Sequence, residues 1–112
     1  MKDCIFCKIV KGKIKSEIVF EDKEVLAFKD IKPVAKVHVL IIPKKHLLSI
    51  NHLKKEDLKI LPKMISAAQK IAKKFGIDKT GFRLIFNAGK DSGLTIEHLH
   101  LHLIGGEKLA WA

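Results

Sequence analysis

Three of the six histidines in this 112-residue chain stand at alternate positions, His98, His100 and His102, with Leu99, Leu101 and Leu103 between and after them. In a helix His98 and His102 would share a face while His100 pointed nearly the opposite way; in a strand all three project from one face, roughly 6.7 Å apart. The strand is the arrangement that gives the pattern a chemical use. Three readings of it stand side by side. One is a polar, solvent-facing strand surface. The second is a three-histidine metal site built from neutral imidazoles. The third is a catalytic site in which one imidazole is nucleophile or general base and its neighbours handle protons and charge. Cys4-Ile5-Phe6-Cys7 adds a second cluster of reactive side chains. A lone C-x-x-C fits a redox pair, a disulfide or half of a zinc site. Two thiolates need two further ligands for tetrahedral zinc, and His38, His46 and His52 stand beside the triplet as candidates.

The elements that must position these groups are legible as periodicity. Glu17 to Glu21 and Glu24 to Phe28 read as two strands across a tight Asp22-Lys23 turn. Lys36 to Ile42 is apolar on both faces, as a central strand is, and Pro43 ends it. Met64, Ile65, Ala68, Ile71, Ala72 and Phe75 recur at helical spacing, with Pro62 at the first turn and Gly76 at the position of a C-cap. Gly81 to Phe86 and Glu97 to Ile104 read as two more strands, joined by the loop Asn87 to Thr95. Consecutive strands with helices inserted between them predict an α+β antiparallel meander.

Length allows one domain with one core, expected over residues 1–112. A composition 47% hydrophobic and 30% charged suits a folded globule. The longest apolar runs fall far short of the ~20 residues of a transmembrane helix. No apolar segment follows Met1-Lys2-Asp3 as a secretory signal would, so a cytoplasmic location is expected. The net charge of +10 is spread over scattered lysines, with Arg83 the one arginine. That distribution offers little bidentate phosphate or base recognition, and nucleic acid is not the expected partner.

The run His98-Leu99-His100-Leu101-His102-Leu103-Ile104 fits the pattern His-φ-His-φ-His-φ-φ, where φ is apolar, at every position. Together with "CIFCKIVKGKI", "IVFEDKEVLAFKDI", "VHVLIIPKKH", "NAGKDSG" and "IGGEKLAWA", it resembles the histidine triad (HIT) family and, within it, the Hint branch of nucleoside phosphoramidases. The resemblance implies a HIT-like fold: a mainly antiparallel sheet with one long helix and a short N-terminal helix. It also implies hydrolysis of purine nucleoside 5′-phosphoramidates, or related nucleotidyl esters and anhydrides, through a covalent nucleotidyl-histidine. Two alternatives are a nucleotide-binding scaffold with incidental turnover and a dinucleoside polyphosphate hydrolase. AMP, GMP and their phosphoramidates are the implied small-molecule partners.

Residue by residue, the resemblance makes His100 the nucleophile, held in its attacking tautomer by the backbone carbonyl of His98, and gives a phosphoryl oxygen to His102. His38 lies beside the triad, and Asn87, Gly93 and Thr95 belong to the phosphate and leaving-group end. Asp30 matches the ribose-binding carboxylate, and Phe6, Ile9, Ile14, Phe28 and Ile31 match the apolar purine pocket. Cys4, Cys7, His46 and His98 match the ligands of a structural zinc that some relatives carry. Thr95 stands where serine is common and Leu94 where glutamine is frequent, changes that bear on the leaving group. The apolar tail Leu109 to Ala112 matches one that reaches toward the partner's active site in Hint homodimers, so a homodimer is expected. His52 has no implied role.

Overall fold

Asp22 opens the architecture by closing the first turn. Its Oδ1 accepts hydrogen bonds from the N–H groups of Glu24 at 2.9 Å and Val25 at 2.8 Å. Those two bonds hold its carboxyl below the usual carboxylate range. The computed structural model describes residues 4–94 and 96–111. A short helix, α1, spans Ile5–Val10. The hairpin that Asp22 closes joins β1, Ile18–Glu21, to β2, Val25–Lys29. Then follow β3, Val37–Pro43, the long helix α2, Ile60–Lys74, β4, Phe82–Phe86, and β5, Leu101–Gly105.

Every strand pair is antiparallel, in the order β1-β2-β3-β5-β4. The sheet is therefore not the simple meander that strand succession predicts: β4 takes the edge and β5 returns to fill the place between β3 and β4. That slot is apolar on both faces, which suits Leu101, Leu103 and Ile104.

The helix α2 ends where Gly76, at φ +74°, turns the chain, with Ile77 N–H donating to Ala72 O and Gly76 N–H to Lys73 O. This pair of bonds is a Schellman cap. Met64, Ala67, Ala68, Ile71 and Ala72 of α2 pack on Val25, Ala27, Val39, Ile41, Leu101 and Leu103, one face of the sheet. Ile65 lies at the rim of the helical stripe and is partly exposed. On the opposite face Leu26, Phe28, Leu40 and Ile42 meet Phe6 of α1, with Ile9 and Val10 beside them. The sheet is thus covered by α2 on one side and in part by α1 on the other. Among the described residues no helix is long and apolar enough to cross a membrane.

Candidate active site and metal centre

The histidine triplet straddles the beginning of β5. Strand pairing starts only at Leu101, opposite Ile41, although the alternation predicts a strand from Glu97. The cause lies across the sheet. Pro43 has no N–H to offer, its carbonyl accepts from His98 Nε2 at 2.9 Å, and Leu99 N–H turns aside to Leu47 O at 2.6 Å. His98 and His100 are buried and His102 half-buried.

Hydrogen bonds assign a tautomer to each ring. His100 Nδ1 donates to the His98 carbonyl oxygen at 2.7 Å, which leaves Nε2 with a free lone pair. His98 donates from Nε2 to Pro43, which leaves Nδ1 as the free nitrogen. The backbone N–H of Val34 donates to His38 Nδ1 at 3.1 Å, so the His38 proton is on Nε2. That proton points at His102 Nδ1, 2.9 Å away, and His102 carries its own proton on Nε2.

Register explains the His38–His102 contact. His38 lies opposite Ile104 on β5, and His102, two residues earlier, is its diagonal neighbour on the same face. Asp30, just past β2, is drawn in by the bond from its N–H to His38 O, and its Oδ2 lies 3.4 Å from His38 Nε2. Burial pushes the His102 ring down to about 4, helped by His100 and His38 and opposed by Asp30. Burial also lowers His38, again against Asp30. Burial thus favours the neutral form of both rings, the form in which their hydrogen bonds are made. Asp30, His38 and His102 converge closely enough to suggest a second metal site. The Val34 bond argues otherwise: it puts a proton on the very His38 nitrogen that would have to ligate.

Cys4, Cys7, His46 and His98 bring their ligating atoms within 4.8 Å of one another. Cys4 Sγ lies 3.3 Å from His98 Nδ1, Cys7 Sγ 3.2 Å from His46 Nδ1 and 3.6 Å from His98 Nδ1. Bond lengths of 2.3 Å to sulfur and 2.0–2.1 Å to nitrogen place tetrahedral ligands about 3.5 Å apart, so the donor set fits zinc. Burial pushes His98 down to about 4 and lowers His46, leaving both as neutral ligands. Burial and the adjacent Cys4 raise the Cys7 thiol, the effect an ion at this position would reverse. Cys4 is also the N-cap of α1, its sulfur accepting from Cys7 N–H.

The remaining expected residues divide. Phe6 and Phe28 lie in the core cluster on the triad's side of the sheet, Phe6 only 4% exposed, with the partly buried Ile9 packed against it. Ile31, 89% exposed, and Ile14 stand apart from that cluster. Asn87 Nδ2 donates to Ser92 O and ties the 87–93 loop, whose Gly89 and Gly93 have positive φ. Thr95 lies outside the described residues. His52 is exposed and shares a hydrogen bond with buried Ser49. A cleft of about 140 Å³ borders Asp30 and His38. A larger one, about 350 Å³ around Lys44, Lys45 and Ile60, includes none of the triad. Sequence reasoning missed the Val34 N–H and the Pro43 carbonyl, because main-chain groups carry no residue-type signal.

The chain matches, over residues 3–110, the family model described as scavenger mRNA decapping enzyme C-term binding. An uncharacterized HIT-like protein of Buchnera aphidicola is 49% identical over 105 residues, 94% of each chain. The crystal structure of a HIT family hydrolase from Legionella pneumophila superposes with a TM-score of 0.94 at 45% identity, covering 97% of each chain. A histidine triad nucleotide-binding protein from Candida albicans superposes at 0.81 with 30% identity, over 98% of this chain and 85% of that one.

Proposed function

The chain belongs to the HIT-like family and has its fold, and from that premise we propose that it is a purine nucleoside phosphoramidase of the Hint type, forming a single domain over residues 1–112. The observation that carries this reading is the 2.7 Å bond from His100 Nδ1 to the His98 carbonyl, which frees Nε2 for attack. In this reading His100 Nε2 bonds to the α-phosphorus as the P–N bond to the leaving amine breaks and the leaving nitrogen takes a proton. Water then attacks the nucleotidyl-histidine, gives up a proton and releases the mononucleotide. His102 Nε2–H faces a phosphoryl oxygen, and His38 holds His102 in that tautomer. Asp30 receives the ribose hydroxyls. Asn87, Gly93 and Thr95 serve the phosphate and leaving-group end, and Phe6, Ile9, Ile14, Phe28 and Ile31 the purine end.

Zinc is the ion we assign to Cys4, Cys7, His46 and His98, where it supplies a structural cross-link. The 92% exposed Trp111 and the open edge of β4 support a homodimer. The test is AMP release from adenosine 5′-phosphoramidate. His100→Ala, shown by circular dichroism to be folded, should lower kcat/KM by about a thousand-fold or more. Wild-type protein that binds AMP but releases none from the phosphoramidate would favour a nucleotide-binding scaffold instead.

A further inference from the structure

Phe6 lies between Cys4 and Cys7 in sequence and between the metal centre and the triad in space. Its ring meets His98, His100 and Phe28 edge-on, with centroids 5.8, 5.3 and 5.4 Å away. His98 makes a second bridge. Its Nδ1 faces the two sulfurs while its carbonyl oxygen holds His100 Nδ1. The helix that carries Phe6 has six residues, far fewer than the ~12–15 at which an isolated helix is even marginal in water. What fixes α1 is its packing on the sheet and whatever joins its cysteines to His46 and His98.

We propose that metal binding at Cys4, Cys7, His46 and His98 and nucleotide binding at the triad are positively coupled, through the Phe6 ring and the His98 main chain. This rests on the nucleotide reading above. Without an ion, α1 must be ordered when the nucleotide binds, at a cost in conformational entropy; with the ion in place that ordering has already occurred. The same ion fixes the His98 ring, and with it the carbonyl that selects the His100 tautomer. Linkage requires the two effects to be equal: whatever factor zinc adds to AMP affinity, AMP adds to zinc affinity.

The experiment is calorimetric titration of AMP into reduced, zinc-loaded protein and into the same protein stripped by a chelator. AMP should bind at least about five-fold tighter to the loaded form, and competition with a chromophoric chelator should show zinc held tighter by the same factor when AMP is present. Equal AMP affinity in two folded forms overturns the coupling. If the stripped chain unfolds, cobalt(II) replaces zinc: its visible bands should shift on addition of AMP, and unchanged bands at saturating AMP overturn the proposal. Phe6→Leu, which keeps all four ligands, should shrink the coupling factor, and an undiminished factor removes Phe6 from the path. Failure of AMP to bind either form at millimolar concentration overturns the nucleotide reading itself, and the coupling with it.

Discussion

His38 Nε2 lies 2.9 Å from His102 Nδ1, and the direction of that hydrogen bond is decided by a third group, the backbone N–H of Val34 on the far nitrogen of His38. A main-chain donor in the 30–36 turn therefore decides which nitrogen His102 presents as a donor.

Val34→Pro removes that donor while leaving every side chain of the site in place. Nitrogen-15 spectra of the wild type should show His38 and His102 protonated at Nε2 and His100 at Nδ1. In the variant His38 should become a tautomer mixture, with turnover falling about ten- to a hundred-fold. A wild-type His102 protonated at Nδ1 would contradict the assignment.

Acid should unfold the chelator-treated protein through its buried rings. His98 and His102 are held near 4 in the folded state and lie near 6.5 when unfolded. Between those values the unfolded chain binds more protons, so stability falls as pH drops through the window. The fully buried His98 alone accounts for on the order of 3 kcal/mol once both limits are crossed. Tm measured from pH 7 to pH 4 checks the sign; a flat profile would mean that the folded rings accept protons freely.

Gly105→Ala should destabilise by about 1–3 kcal/mol through overpacking. A Cβ there would stand 3.1 Å from Gly81 O and from Ile77 Cδ1 and 3.2 Å from Phe82 Cβ, where β5 passes β4. Urea denaturation reads the difference, and a midpoint within error of wild type would show that the neighbours give way.

If zinc occupies the Cys4, Cys7, His46 and His98 cluster as proposed, chelator treatment should lower Tm, with recovery when zinc is restored, because such an ion would join α1 to the segments before β5 and after β3. Cys7→Ser should melt near the stripped wild type and respond little to added zinc. A variant that regains wild-type Tm with zinc would remove Cys7 from the ligand set.

Local features were legible in the sequence because local chemistry sets them. Asp22 closes its turn through its own carboxylate, and Gly76 caps α2 with a backbone conformation that suits glycine. The histidine alternation likewise announced a strand, yet that strand begins at Leu101, four residues later than the expected start at Glu97. Its limit is set by Pro43, a residue 55 positions away from His98, through a carbonyl. The insertion of β5 between β3 and β4 escaped notice for the same reason: periodicity tells which face is apolar, not which neighbour lies alongside. Phe6 and Phe28, which the resemblance matches to a purine pocket, are 4% and 3% exposed and also pack the core. Residue type records apolarity and leaves open whether a ligand or the core uses it.

The position of β5 has a consequence for how the molecule comes into being. Before that strand arrives, β3 and β4 each present an unpaired edge, and an edge of apolar strand is a template for the wrong partner. The pairing of Val37 with Gly105 closes a loop of most of the chain, the kind of distant contact that forms slowly. A growing polypeptide thus carries two sticky margins until its fifth strand is made, and that same strand delivers His102, with His98 and His100 just ahead of it. The three histidines are thus among the last side chains to be set in place.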